Sequence, residues 1–196
     1  MRLKIVQTGE PVLRQHARAL TKEEIALPAI QQLIEHMRDT MSDAPGVGLA
    51  APQIGLPLQL AVIEDRADYL KAIDPAILAE RERQPVEFLV LINPRIVQYS
   101  DDTAEFFEGC LSVAGFSALV KRSRRVTVEY LDISGNECSI EASGWFARIL
   151  QHEIDHLHGT LYIDRMETRT FATIENIGRY WKDVPVQKVR EVLQLS

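Results

Sequence analysis

The segment from Trp145 to Leu157 constrains this chain more than any other. Trp145, Phe146, Ile149, Leu150, Ile154 and Leu157 recur at helical intervals, which predicts an apolar helix that has to lie inside the molecule. Ser143 and Gly144 stand before it as a cap and Gly159 follows as a stop. The same stretch contains His152-Glu153-Ile154-Asp155-His156, an HExxH pattern. Histidines four apart stand one turn above each other on one helical face, so two imidazole nitrogens can reach a single cation. Glu153 is rotated by about 100° from His152. It leaves the ligand face but can still meet a water beside the cation, a placement that suits an acid–base group rather than a ligand.

A buried helix of this kind needs a core around it. The 196 residues, 46% hydrophobic and 26% charged, suffice for a single domain spanning 1–196 and exclude collagen-like or low-complexity chains. With 22 basic against 28 acidic residues and a formal charge of −6, no overall positive field recruits nucleic acid or an anionic membrane. No apolar run reaches the roughly 18 residues a bilayer requires. Met1 to Gln7 meets Thr8-Gly9-Glu10-Pro11 before a long apolar segment forms, so no signal peptide is expected. A reducing cytoplasm is expected, with Cys110 and Cys138 unpaired. An organellar home after removal of a transit peptide also fits.

Elsewhere, Ile30, Leu33, Ile34, Met37 and Met41 predict an amphipathic helix over residues 28–42, with Thr21 as an N-cap upstream. Leu58–Ile63, Phe88–Ile96, Val126–Leu131 and Cys138–Ala142 read as strands, the last two joined by a turn at Asp132–Asn136. The expected class is α+β, mostly antiparallel sheets packed around the central HExxH helix. Asp65 to Pro85 reads as a charged, alanine-rich surface excursion with a helical turn and without chemistry. Gly46-Val47-Gly48-Leu49-Ala50-Ala51-Pro52-Gln53 reads as a loop built for close backbone approach rather than regular structure.

A catalytic divalent metal takes three protein ligands and keeps one position open. Downstream of His156, the candidates His158, Asp164, Glu167 and Glu175 lie in unpromising contexts. Upstream, Cys110 lies in Glu108-Gly109-Cys110-Leu111-Ser112 and would complete a Cys-His-His set. A buried small hydrophobe is the ordinary fate of such a cysteine, and the residues alone leave both readings open.

Taken together, Gly46–Gln53, Glu108–Ser112 and Gln151–His156 resemble, in order and spacing, the three signature motifs of the peptide deformylases. The likeness extends through Ser143-Gly144-Trp145, Asp164-Arg165-Met166 and Arg169-Thr170-Phe171, and these flanks look most like the branch with mitochondrial and plant organellar enzymes. The resemblance implies a hydrolase that removes the formyl group from N-terminal formylmethionine of nascent chains. It implies one divalent ion, Fe²⁺ in the cell with Zn²⁺, Ni²⁺ or Co²⁺ able to replace it, held by Cys110, His152 and His156. Glu153 becomes the acid–base group, with the Gln53 side-chain amide and the Leu111 N–H as oxyanion donors. Gly48 and Gly109 flank an extended substrate backbone, and Val47, Trp145 and Ile149 line a pocket for the methionine side chain. Formylmethionyl peptides and nascent chains are the implied partners, with transient ribosome contact.

Many bacterial members carry a proline and then an arginine where this chain has Ala114 and Ser117, so one cation that could face the substrate backbone is missing. Arg122 is expected to pair with Glu108 and hold the Cys loop. His158 is expected to interact with the helix dipole. Two competing readings are a zinc endopeptidase sharing HExxH, and a noncatalytic descendant that binds metal and nascent chains without turnover.

Overall fold

A computed structural model describes residues 1–44, 46–182 and 184–195. Thr21 does act as an N-cap, but of a single turn, α1 (Lys22–Ile25), where Thr21 and Glu24 form a reciprocal capping box. The longer amphipathic helix, α2 (Pro28–Asp43), starts one break later with proline in its first turn. It buries Ile34, Met37 and Met41.

The glycine-rich segment departs from expectation. Rather than an irregular loop, it forms a short strand, β1 (Gly48–Ala50), followed by a 3-10 turn over Ala51–Ile54 that ends on Gly55 at φ +84°. Next come β2 (Leu60–Asp65), α3 (Ala67–Leu70), α4 (Pro75–Glu80) and β3 (Val86–Tyr99). Two strands that the sequence reading did not anticipate follow, β4 (Thr103–Cys110) and β5 (Val113–Ser123). The predicted hairpin appears as β6 (Arg125–Leu131) and β7 (Glu137–Ser143), and leads into α5 (Gly144–Leu157). The chain finishes with β8 (Ala172–Thr173), α6 (Ile174–Tyr180) and α7 (Val186–Val192).

The strands form two antiparallel sheets, β1-β2-β3-β6-β7 and β4-β5-β8. Helix α5 packs against strands of both. Ser143 occupies its N-cap position without a side-chain hydrogen bond, and Gly159 at φ +72° follows its C-terminal end. Ala147, Ile149, Leu150 and Ile154 bury against Ile63, Leu91, Val126 and Val128 of the larger sheet. At roughly 25 cal/mol per Å² of apolar surface, that burial is what fixes a helix carrying so many polar groups in the interior. Strands β1 and β4 each lie at the end of their sheet, and the end of β4 lies close to the histidine-bearing face of α5.

The N-terminal segment binds these parts together. The Val6 N–H donates to Gln53 O, the Thr8 N–H to Ser112 O, and the Ala17 N–H to Leu157 O, at 2.7–2.8 Å. Gln7 Nε2 donates to Leu111 O at 3.0 Å. No helix among the described residues is long and apolar enough to cross a membrane.

Candidate metal centre

Cys110 ends β4 at a point where the register with β5 shifts, which turns its sulfur toward α5. The Cys110 Sγ lies 3.2 Å from His156 Nε2, and one donor atom each from Cys110, His152 and His156 falls within 4.8 Å of the others. This is the only group of three or more such residues found among the described residues. Its chemistry fits one divalent ion: a thiolate and two imidazoles in a partly sheltered place. Burial and the neighbouring His152 hold His156 well below its ordinary pKa, hence neutral, the form in which imidazole ligates.

Behind the histidines lies a buried charge network. His152 Nδ1 is 3.0 Å from Glu108 Oε2, which orients the ring and leaves Nε2 for a ligand. Arg122 binds Glu108 through two hydrogen bonds, at 2.7 and 3.0 Å, as expected from sequence, and also reaches Asp155 at 2.7 Å. Arg148 adds a bond to Glu108 at 2.5 Å and Arg165 a bidentate pair to Asp155 at 2.7 and 2.8 Å. Burial alone would raise the Glu108 pKa, but Arg122 and His152 outweigh it and hold the carboxyl well below the ordinary carboxylate range.

Glu153 is buried one residue along. Its Oε2 has no hydrogen-bond partner among the described residues, nor does His156 Nδ1. Burial pushes the Glu153 carboxyl up to about 7, against the opposing pull of His152 and Arg122. A carboxyl with one free oxygen and a pKa near neutrality is suited to exchanging a proton. Gln53 is buried too; its Oε1 accepts from the Ala50 N–H at 2.9 Å, and its Nε2 is 3.4 Å from Cys110 Sγ and 3.3 Å from Ser112 Oγ. The 3-10 turn after β1 thereby aims a side-chain amide at the Cys110 sulfur.

Cys110, His152, Glu153 and Gln53 border one cavity of about 480 Å³. Val47, Gly48, Gln53, Gly109, Cys110, Leu111, His152 and Glu153 line it; Trp145 and Ile149 do so too while packing in the core. His156 lies behind the lining. At Gly48 a Cβ would fall 2.2 Å from Glu153 Oε1, so a side chain there would displace the carboxylate or the strand. At Gly109 the nearest atom to such a Cβ is Phe116 O at 3.5 Å, ordinary contact.

His158 is the C-cap residue of α5, the helix-end position expected, and burial with the neighbouring His16, whose ring centroid is 4.8 Å away, holds it below its ordinary pKa. One sequence expectation fails. The excursion after Asp65 is not confined to the surface, because Arg83 lines the cavity and makes a bidentate ion pair, at 2.7 and 2.9 Å, with the fully buried Asp65. Arg81, Arg83 and Arg148 all lie over the Trp145 ring at 5.0–5.9 Å. Sequence patterning assigns such arginines to solvent, and only the buried aspartate would have signalled otherwise.

An α+β molecule in which a cysteine and the two histidines of an HExxH helix converge beside one cavity has the donor set of a metal-dependent enzyme. Residues 2–172 match the family model described as polypeptide deformylase. The chain is 50% identical over 173 residues to peptide deformylase 1A, chloroplastic, of Solanum lycopersicum, covering 88% of this chain and 62% of that protein. It is 38% identical over 180 residues to the mitochondrial peptide deformylase of Homo sapiens, covering 92% and 72% respectively. A class I type b peptide deformylase from Acinetobacter baumannii, solved with Met-Ala-Ser bound, superposes with a TM-score of 0.75 at 30% identity, covering 85% of this chain and 99% of that one. The chain belongs to the polypeptide deformylase family. It spans less than two thirds of the length of the tomato relative.

Proposed function

We propose that this chain hydrolyses the formyl amide at the N-terminus of formylmethionyl peptides and nascent chains, releasing formate and a free amine. The observation that carries the reading is the convergence, on one cavity, of a three-donor set, a buried carboxyl with a free oxygen, and an aimed amide. Cys110, His152 and His156 would hold one divalent ion, Fe²⁺ by family likeness, with Zn²⁺, Ni²⁺ or Co²⁺ able to replace it. A bound ion of this kind supplies Lewis acidity to the attacking water and to the formyl oxygen.

Glu153 takes a proton from the attacking water on its free oxygen. It later returns that proton to the departing nitrogen as the carbon–nitrogen bond breaks. Negative charge that develops on the formyl oxygen meets the Gln53 side-chain amide and the Leu111 N–H, and each such donor is worth about 10²–10³ in rate. The edge strands β1 and β4 receive the peptide backbone as an added strand alongside Gly48 and Gly109. Val47, Trp145 and Ile149 enclose the methionine side chain. The tripeptide in the Acinetobacter relative supports an occupant of this size. The relatives include chloroplastic, mitochondrial and bacterial proteins, so we place the activity in a compartment that initiates with formylmethionine, with transient ribosome contact.

The test is formate release from formyl-Met-Ala by protein purified without oxygen. Formate in stoichiometry with new free amine supports the reading. Cleavage of internal peptide bonds without formate would favour an endopeptidase, and metal content without any turnover would favour a binding protein; either result overturns it.

A further inference from the structure

The excursion after β2 and the C-terminal segment enclose a second cavity, of about 600 Å³, a size that holds one small molecule. None of Cys110, Gln53, His152, Glu153 and His156 lines it, although Phe107 and Ile174 border both cavities. Ile77 of α4, Phe106 and Phe107 of β4, Ile177 of α6, and Trp181 and Val184 beyond it make its walls largely apolar. The wall from Ile174 onward lies past the residues that match the family model.

Arg81, which ends α4, brings a cation into this apolar setting. Its guanidinium lies 5.0 Å from the Trp145 ring centroid and 5.5 Å from that of Phe106, contacts that hold the group without accepting its in-plane N–H bonds. Its Nε is buried and has no hydrogen-bond partner among the described residues. The neighbouring carboxylates are committed elsewhere, Glu82 to Arg124 and Asp65 to Arg83. Of the two acids in the lining, Asp74 caps α4 through the Ala76 N–H at 2.7 Å and Glu80 is exposed. Burial and the nearby Arg83 both disfavour the Arg81 charge, yet a guanidinium does not shed its proton. An incoming anion would return what the unpaired donor costs.

We infer that this second cavity binds a small amphipathic monocarboxylate, its apolar chain against Phe106, Ile177 and Trp181 and its carboxylate on the fork of Arg81. Charge complementarity selects an anion, and Lys182 in the lining favours the same sign. A planar carboxylate matches the guanidinium fork, whereas Asp74 and Glu80 repel a multiply charged phosphate. The apolar walls select the chain.

Octanoate is the probe, and calorimetric titration of the metal-loaded protein is the measurement. One octanoate should bind per chain. Hexanoate should bind about tenfold more weakly, having two fewer CH₂ groups to bury. Octanol should bind about 10–100-fold more weakly, for want of a charge-assisted pair. Arg81→Met should weaken octanoate by about that factor and leave octanol unchanged. Ile177→Glu keeps Arg81 but sets a carboxylate in the lining, and should weaken octanoate by about tenfold or more; it carries the test if Arg81→Met does not fold. Octanoate that binds no better than octanol, or equally well in both variants, overturns the site. Octanoate inhibition of formyl-Met-Ala turnover that persists in Arg81→Met also overturns it, because the carboxylate would then sit at the metal centre. So does full displacement of octanoate by Met-Ala-Ser, which would make the cavity part of the peptide's path. Since binding rather than turnover is read, this inference and the deformylase reading fail separately.

Discussion

A methyl group on Gly48 would lie 2.2 Å from the Glu153 carboxylate oxygen and 2.6 Å from its Cδ, closer than real Cβ contacts allow. Since Glu153 is enclosed, the conflict has to be resolved by moving the carboxylate or the strand. Gly48→Ala should therefore lower turnover about 10²-fold, the usual consequence of misplacing a reacting group by an ångström, while metal content stays near one per chain. Glu153→Gln keeps the volume and removes the proton acceptor. It should lower kcat by about 10²–10⁴ with metal content unchanged, because the side chain projects one residue away from the ligand face. Elemental analysis beside steady-state kinetics separates the cases. Metal lost in parallel with activity would make Glu153 a ligand, and a largely retained rate would mean another group is the base.

The elements show where sequence patterning works and where it stops. Helix α5 was legible because its apolar period and its two histidines belong to one 14-residue segment. The strands β4 and β5 were not. Their inward positions carry Glu108 and Arg122, both buried, so an alternation that reads as hydrophobic-in and polar-out breaks at the residues that build the site. The Arg122–Glu108 pair was anticipated, but the further partners of these charges, Asp155 and Arg148, lie 33 and 40 residues away in sequence, and no local rule brings them in. The buried carboxylate also makes stability depend on pH. Glu108 ionises well below its ordinary value of 4.5 because Arg122 and His152 outweigh the cost of burial. An unfolded chain takes up the proton first, so this contribution is fully present above about pH 4.5 and disappears as pH falls below it. In chelator-treated protein, the stability gap between wild type and Glu108→Gln should be widest near neutrality and shrink in acid. A gap that does not change with pH would show that Glu108 acts through packing alone. Metal affinity of the variant should drop about 10–100-fold, because the His152 ring loses its orienting acceptor.

At the scale of the molecule, the cavity is closed on one side by chain that sequence reading leaves at the surface. After β2 the polypeptide runs through α3 and α4 and returns at Arg83, whose guanidinium binds Asp65 through both oxygens and lies 5.2 Å from the Trp145 ring centroid. The Asp65 side chain has 0% exposure and that of Arg83 12%. Removing one partner strands a buried charge, which costs about 3–5 kcal/mol, whereas removing both and filling the space with apolar groups is often close to neutral. Arg83→Met alone should therefore lower the melting temperature by roughly 6–20 °C, at about 2–4 °C per kcal/mol for a chain of this size. Arg83→Met combined with Asp65→Leu should recover most of that loss. If the pair acts only as a surface tether, the single variant will melt within a degree or two of wild type. If the double variant regains stability yet shows a raised KM for formyl-Met-Ala, the ion pair shapes the cavity wall as well as holding the excursion. Recovery of both properties would assign the pair to stability alone.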